Sequence, residues 1–268
     1  MARVNSAIKI SGKLDDRVHV NSKHGHLVRK APKKSAKREE PALVQQYNRT
    51  GMLNDLAAEL NRIIRAYSGT LKPSGFYQAV QKRFRKEPLN NRFLLLKQLE
   101  GMEVNATYPL NKLGQTGVTV GAAEKKIIVR LDVSLRPSEY CGPFKVNCYT
   151  YEVSLLCWNK SARPATHARQ YSEWMYLKDG LPEFEFLFAR PAGTVHWLLC
   201  VKQQLGRNEQ AIESFRAEGM QIVTAGSFDK KDMAILIGRK EQEMAQAAKE
   251  LAKNGKEQII RVKAKTVK

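Results

Sequence analysis

Acidic residues are scarce in this 268-residue chain: 26 Asp and Glu stand against 46 Lys and Arg, which leaves a net charge of +20 with the five His neutral. That deficit excludes a surface built to attract cations and favours polyanionic partners. Long hydrophobic runs are missing too. The best are Phe93–Leu96 and Val195–Val201, far short of the ~18 residues a membrane helix needs, so no transmembrane span and no membrane partner are expected. The first twenty residues, MARVNSAIKISGKLDDRVHV, hold no continuous apolar stretch, so a secretory signal is not expected and a cytoplasmic location is.

Cysteine is sparse. Cys141, Cys148 and Cys157 are spaced C-x6-C-x8-C, and Cys200 lies far away. No CxxC pair exists and no His stands at a ligand spacing, so structural zinc is not expected. A Cys141–Cys148 bridge would require an oxidising compartment, and reduced, buried thiols are the expected state. His24-Gly25-His26 lacks a third ligand nearby, which leaves it a polar turn without a metal, and His167 and His196 read as isolated. Catalytic motifs are absent: there is no G-x-S-x-G, no G-x-x-x-x-G-K-[ST] and no G-x-G-x-x-G opening a helix. The carboxylate pairs Asp15-Asp16 and Glu183/Glu185 read as a turn and as the wet face of a strand. The expectation is therefore a non-enzymatic protein without a cofactor.

At 43% hydrophobic and 8% aromatic, the chain still has the material for a core. Its charge is unevenly placed: residues 1–50 carry a net +8, 51–103 +4, 104–237 only +3 and 238–268 +5. A nearly balanced body flanked by basic ends is the pattern of a polyanion binder.

Arg17–Asn21 alternates, with Val18 and Val20 on one face and Arg17, His19 and Asn21 on the other. Ser22-Lys23-His24-Gly25 is a loop, and His26–Lys30 returns, which predicts a basic hairpin. Ala31–Glu40 is a charged arm poor in apolar residues. From Pro41 a helix is predicted, its face formed by Leu43, Val44, Tyr47, Leu53, Leu56, Leu60, Ile63, Ile64 and Tyr67. A second helix follows Ser74 with Phe76, Tyr77, Val80 and Phe84 inward, and a third is capped by Asn90 or Asn91 and stopped by Gly101.

From Val118 the period becomes two. Strands are predicted at 126–135, 146–158, 171–177, 183–188, 195–202, 220–225 and 233–237, with a helical insertion at 208–218 and a basic helix at 241–253. Seven short strands with Gly, Pro and Asn turns suggest an antiparallel sandwich. The aromatics Tyr149, Tyr151, Trp158, Tyr171, Trp174, Tyr176 and Trp197 are assigned to its core, with base or sugar stacking as the alternative. In the tail, Arg261, Lys263 and Lys265 share one side if it is extended.

The fold class read from the sequence is α+β. It comprises a basic hairpin and arm (1–40), a helical region (41–103), an antiparallel β-sandwich (104–240) and a basic C-terminal helix and tail (241–268). Residues Ile10–Lys13, Val18–Asn21, Gly25–Arg29 and Gln45–Arg49, with Leu99–Asn105 leading into the β-rich part, are similar to an uncharacterised family of basic bacterial proteins over about the first 115 residues. The resemblance implies an N-terminal hairpin, a helical region and a β-rich C-terminal part, and no activity.

The residues expected to meet phosphates are Arg17, Lys23, Arg29, Lys30, Lys33, Lys34, Lys37 and Arg38 in the hairpin and arm, Lys82, Arg83, Arg85 and Lys86 in the second helix, and Arg261, Lys263 and Lys265 in the tail. No element with base-reading residues stands out, so DNA or RNA binding without base specificity is expected. The alternative is a structural assembly subunit, an oligomer in which hairpin, arm and tail reach neighbouring protein subunits.

Overall fold

The computed structural model describes residues 2–3, 12–14, 17–22, 25–31, 41–71, 73, 75–89, 91–123, 125–160 and 165–247. The chain divides into two compact units, Met1–Thr50 and Gly51–Lys268.

In the first unit, β1 (Ala2–Arg3), β2 (Gly12–Leu14), β3 (Arg17–Ser22) and β4 (Gly25–Lys30) form an antiparallel sheet in the order β1-β4-β3-β2. The predicted hairpin is its centre, with Val18 opposite Arg29 and Arg17 opposite Lys30. The arm from residue 32 to residue 40 lies outside the described residues.

Helix α1 (Pro41–Tyr67) follows. Its apolar face is buried from Leu53 onward, at Leu53, Leu56, Leu60, Ile63, Ile64 and Tyr67, whereas Val44 and Tyr47 are exposed at 45% and 58%. Helix α2 (Phe76–Phe84) buries Phe76, Val80 and Phe84, and α3 (Arg92–Lys97) is capped by Asn91, whose side chain accepts from Leu94 N at 3.2 Å.

Two sheets follow. The larger has the order β11-β10-β14-β16-β5, from β5 (Met102–Glu103), β10 (Cys148–Asn159), β11 (Thr166–Tyr171), β14 (Thr194–Arg207) and β16 (Glu218–Ser227). Two short strands pair with it, β12 (Met175–Tyr176) on β10 and β15 (Gln210–Ala211) on β14. The smaller sheet is β13-β7-β6, from β6 (Gln115–Ala122), β7 (Lys126–Leu135) and β13 (Glu183–Ala189). A small ribbon pairs β8 (Tyr140–Cys141) with β9 (Phe144–Lys145).

The expected antiparallel sandwich is present and carries a third layer. Tyr149, Tyr151, Val153, Leu155, Trp197, Leu199 and Val201 pack against Ile127, Val129, Leu131, Phe186 and Phe188 of the smaller sheet. The alternate residues Leu156, Trp158, Leu198, Cys200, Met220 and Ile222 pack against α1, α2 and α3. The helices and the sandwich therefore share the large sheet, and no core boundary falls near residue 103. Covering on both faces explains why β10 and β14 are buried almost continuously, where a strand of a two-layer sandwich alternates.

Three segments differ from the sequence expectation. The strand expected at 171–177 is broken, with β11 ending at Tyr171 and β12 covering only Met175–Tyr176. The strand expected at 233–237 lies inside a helix, α4, over residues 230–247. Met233, Ile235 and Ile237 alternate, yet all three are exposed, and the docking positions are Asp232, Leu236 and Arg239 at helical spacing. Asp229 starts the helix, its carboxylate accepting from Lys231 N at 2.9 Å. The basic helix expected from residue 241 is the continuation of α4 as far as residue 247, and the rest of the tail lies outside the described residues. The insertion expected to be helical at 208–218 is a tight turn instead. Asn208 and Glu209 take φ of 53° and 61°, the two positive angles of a type I′ hairpin, and join β14 to β15.

One glycine fixes the packing of the large sheet. Gly226 faces Trp197 across the β14–β16 ladder, and a Cβ there would stand 2.2 Å from the buried indole. Gly226→Ala is expected to cost about 1–3 kcal/mol through displacement of the ring. Urea unfolding followed by tryptophan fluorescence measures this, and an unchanged midpoint would deny the contact.

Candidate nucleic-acid interface

Cross-strand partners in an antiparallel ladder share a face. Register therefore puts Arg17 and Lys30 on one face of the hairpin, and Arg29 beside Val18 on the other. All three cations are exposed. Neither Arg29 nor Lys30 has a carboxylate partner among the described residues. Lys23, Lys33, Lys34, Lys37, Arg38, Arg261, Lys263 and Lys265 lie outside the described residues.

In the second unit, the end of α2 carries the predicted internal cluster. Phe84 is fully buried, and that rotation exposes Lys82, Arg85 and Lys86. None of the three has an ion-pair partner among the described residues. Their charge also complements the C-terminal end of the helix dipole. Arg83 is different. Half-buried, its Nη1 donates to Gln98 O at 2.9 Å and Glu100 O at 3.2 Å, so it closes the end of α3. The structure thus presents a basic group on each unit.

Sequence reasoning missed two polar clusters, because their members are far apart in the chain. The first lies on the helix side of the large sheet. Lys202 Nζ is 3.4 Å from Glu218 Oε2, with side-chain exposures of 7% and 2%. Glu218 also accepts from Thr70 N and Gln204 Nε2. Arg169 reaches Glu152 at 3.5 Å and stacks 4.4 Å above the ring of Tyr67, whose hydroxyl meets His167 Nδ1. Burial pushes the Glu152 carboxyl above its ordinary range, and Lys202 and Arg169 offset part of this. Gly69, at φ +57°, lets the chain after α1 pass 2.9 Å from Lys202 Nζ at its Cβ position. Each carboxylate is already held by protein cations and donors, so the cluster fastens α1 to the sheet.

The second cluster joins α4 to β14 and β16. Asp232 Oδ2 meets His196 Nε2 at 2.8 Å and accepts from Ser227 Oγ at 2.7 Å, and Asp232 Oδ1 accepts from Asn91 at 2.8 Å. Burial pushes the Asp232 carboxyl up, but these hydrogen bonds outweigh it and hold it below the ordinary carboxylate range. The residue types are those of a hydrolase triad. The geometry is not, since Ser227 and His196 both address the same carboxylate and no base activates the hydroxyl. Among the described residues no group of three His, Cys, Asp or Glu side chains could hold a metal ion. Burial raises the thiols of Cys157 to about 11 and Cys200 to about 12, which keeps both protonated.

The aromatics divide. Tyr149, Tyr151, Trp158 and Trp197 are buried in the core, as expected, whereas Tyr171 is exposed and Trp174 and Tyr176 are half-buried. Comparison of the chain with protein-family models finds no match, and comparison with curated proteins finds none either.

Proposed function

We propose that the protein binds nucleic acid through the phosphate backbone, without base specificity and without catalysing a reaction. The observation that carries this reading is the set of exposed cations without carboxylate partners among the described residues, Arg29 and Lys30 on the hairpin and Lys82, Arg85 and Lys86 at the end of α2. Other charges are held in ion pairs, as in Arg130–Glu185, Lys202–Glu218 and Arg239–Glu87. A surface that leaves cations unpaired gains from phosphate contacts by releasing condensed counterions.

The triple variant Lys82→Ala/Arg85→Ala/Lys86→Ala tests it. Each lost phosphate contact lowers the slope of log K against log salt by about 0.9. The variant is expected to bind duplex DNA more weakly and to flatten that slope by two to three such steps. An unchanged slope removes α2 from the interface.

A second reading, an assembly subunit, is favoured by the free edge of the smaller sheet. Strand β6 (QTGVTVGA) has no charge and no proline, and among the described residues only β7 pairs with it. Such an edge is a template for strand addition. The exposed Val44 and Tyr47 of α1 offer further apolar contact. Light scattering separates the readings: a monomer that binds DNA supports the first, and an ordered oligomer indifferent to nucleic acid supports the second.

A further inference from the structure

At the end of the sandwich a cleft of about 370 Å³ opens between the β8–β9 ribbon and the turn after β12, lined by Glu139, Lys145, Val146, Asn147, Tyr176, Leu177 and Lys178. Its walls are fixed by the backbone. Val146 N donates to Glu139 O at 2.8 Å, Leu177 N to Asn147 O at 2.9 Å, and Asn147 N to Gly206 O at 3.1 Å. The side chain of Asn147 is tied on both sides to Asn208. The site is therefore preformed, and its volume lies within the roughly 300–1,000 Å³ of small-molecule sites.

Its chemistry combines aromatic rings with cations. Tyr176 offers its ring, with Lys178 Nζ 5.4 Å from the centroid, and its hydroxyl is held by Glu209 at 2.8 Å. Tyr140 is 62% exposed and pairs with Lys145 across the ribbon. Tyr140 is thus the sequence neighbour of Glu139 and the cross-strand partner of Lys145, both of which line the cleft. Arg136 is exposed beside it and donates to Leu177 O. Of the nearby acids, Asp179 is turned to Tyr176 N at 3.2 Å, and Glu139 is the one carboxylate among the lining residues. Lys145 and Lys178 line the cleft with Glu139, Arg136 stands at Leu177, and Asp179 and Glu209 are engaged by Tyr176.

A large exposed tyrosine next to two lining residues of a preformed cleft has no role in the core. We propose that this cleft takes a nucleotide of a single-stranded nucleic acid. A base stacks on Tyr140 or Tyr176, its phosphates lie against Lys145, Lys178 and Arg136, and a base amino group donates to Glu139. Every base has a face to stack, so the contact selects strandedness and not sequence. In a duplex the bases are stacked on one another, and the cleft is too small to receive the helix. The proposal rests on the nucleic-acid reading above and adds a second surface to it, one that the α2 and hairpin cations do not supply.

The test compares the full chain with its Tyr140→Ala and Tyr140→Phe variants. Fluorescence anisotropy is read with fluorescein-labelled oligo(dA) and with the matching duplex at low salt. The wild-type protein is expected to prefer the single strand. Tyr140→Ala is expected to weaken single-strand binding about tenfold, one stacked base by alanine substitution, and to leave duplex binding unchanged. Tyr140→Phe is expected to keep the affinity, because the ring and not the hydroxyl stacks. Ultraviolet crosslinking of the oligonucleotide to the Tyr140 or Tyr176 peptides would support the same site. Salt-sensitive binding of both probes with no effect of Tyr140→Ala overturns the cleft and leaves the charge reading standing. No binding of either probe at low salt overturns both. Full competition by adenosine monophosphate alone overturns the strand and assigns the cleft to a free nucleotide.

Discussion

Lys202→Met is expected to destabilise the fold by about 3–5 kcal/mol near neutral pH, the usual cost of stripping the partner from a buried ion pair. Lys202 is the buried cation between Glu152 and Glu218, which are themselves 8% and 2% exposed. Methionine fills the space of the lysine stem and removes only the charge. The sign of the pH dependence follows from Glu152, whose carboxyl burial pushes up. A carboxyl raised on folding opposes folding while ionised, and the opposition is relieved as pH falls through the raised value. Without Lys202 that value rises further, so the deficit is expected to shrink as pH falls from neutral into the acid range. Urea midpoints of wild type and variant at both ends measure it. A deficit that grows on acidification would contradict the assignment. The double change Lys202→Met/Glu218→Leu should recover part of the loss, because it removes a pair and not a partner.

Arg239→Ala is expected to release α4 from the body. Arg239 donates to both oxygens of Glu87, at 2.7 and 2.8 Å, and Glu87 is 1% exposed at the turn between α2 and α3. Glu87 also accepts from Leu89 N at 3.0 Å. Removing the guanidinium leaves a buried carboxylate without its cation, a cost of about 3 kcal/mol. Undocking of α4 limits the loss, because water then reaches Glu87. Hydrogen exchange should show protection lost over residues 230–247 while the large sheet stays protected. Arg239→Lys should fall between, since an ammonium cannot repeat the two parallel bonds. The hydrogen bond from Arg239 holds the Glu87 carboxyl below its ordinary range, against the effect of burial. Its stabilisation is therefore present above that range and lost as pH falls through the lowered value. The variant lacks this term, so its acid unfolding should be shallower. Protection unchanged in α4 would mean that Asp232 and Leu236 hold the helix alone.

What the sequence made legible, and what it hid, follows from how far each signal reaches along the chain. The β3–β4 hairpin, the cap at Asn91 and the strand Glu183–Ala189 are local patterns, and each stands where its pattern puts it, whereas α3 ends at Lys97 with Gln98 as its C-cap, short of Gly101. A strand is expected at 146–158, but its continuous burial is not, because the cover that α1, α2 and α3 give its second face is a long-range fact that periodicity does not carry. α4 was misread because Met233, Ile235 and Ile237 mimic a strand. The decisive signal was Asp229 before the helix, with Asp232 and Arg239 seven residues apart on the docked face.

The candidate site divides the same way. The cluster Lys82–Lys86 was readable as a run, and Phe84 fixed which of its members face solvent. That Arg83 is spent on α3 was not readable, since its partners are carbonyls at 98 and 100. The cleft beside Tyr140 and Tyr176 brings together segments some forty residues apart, each of them ordinary by itself.

The most direct measurement of the central claim is the binding constant of the intact chain for a nucleic acid of mixed sequence, taken across a series of salt concentrations. Backbone binding predicts a straight fall of log K with log salt, with a slope of about −3 or steeper for a protein that neutralises several phosphates, and the same slope on unrelated sequences. A flat line, or no binding at low salt, would contradict it.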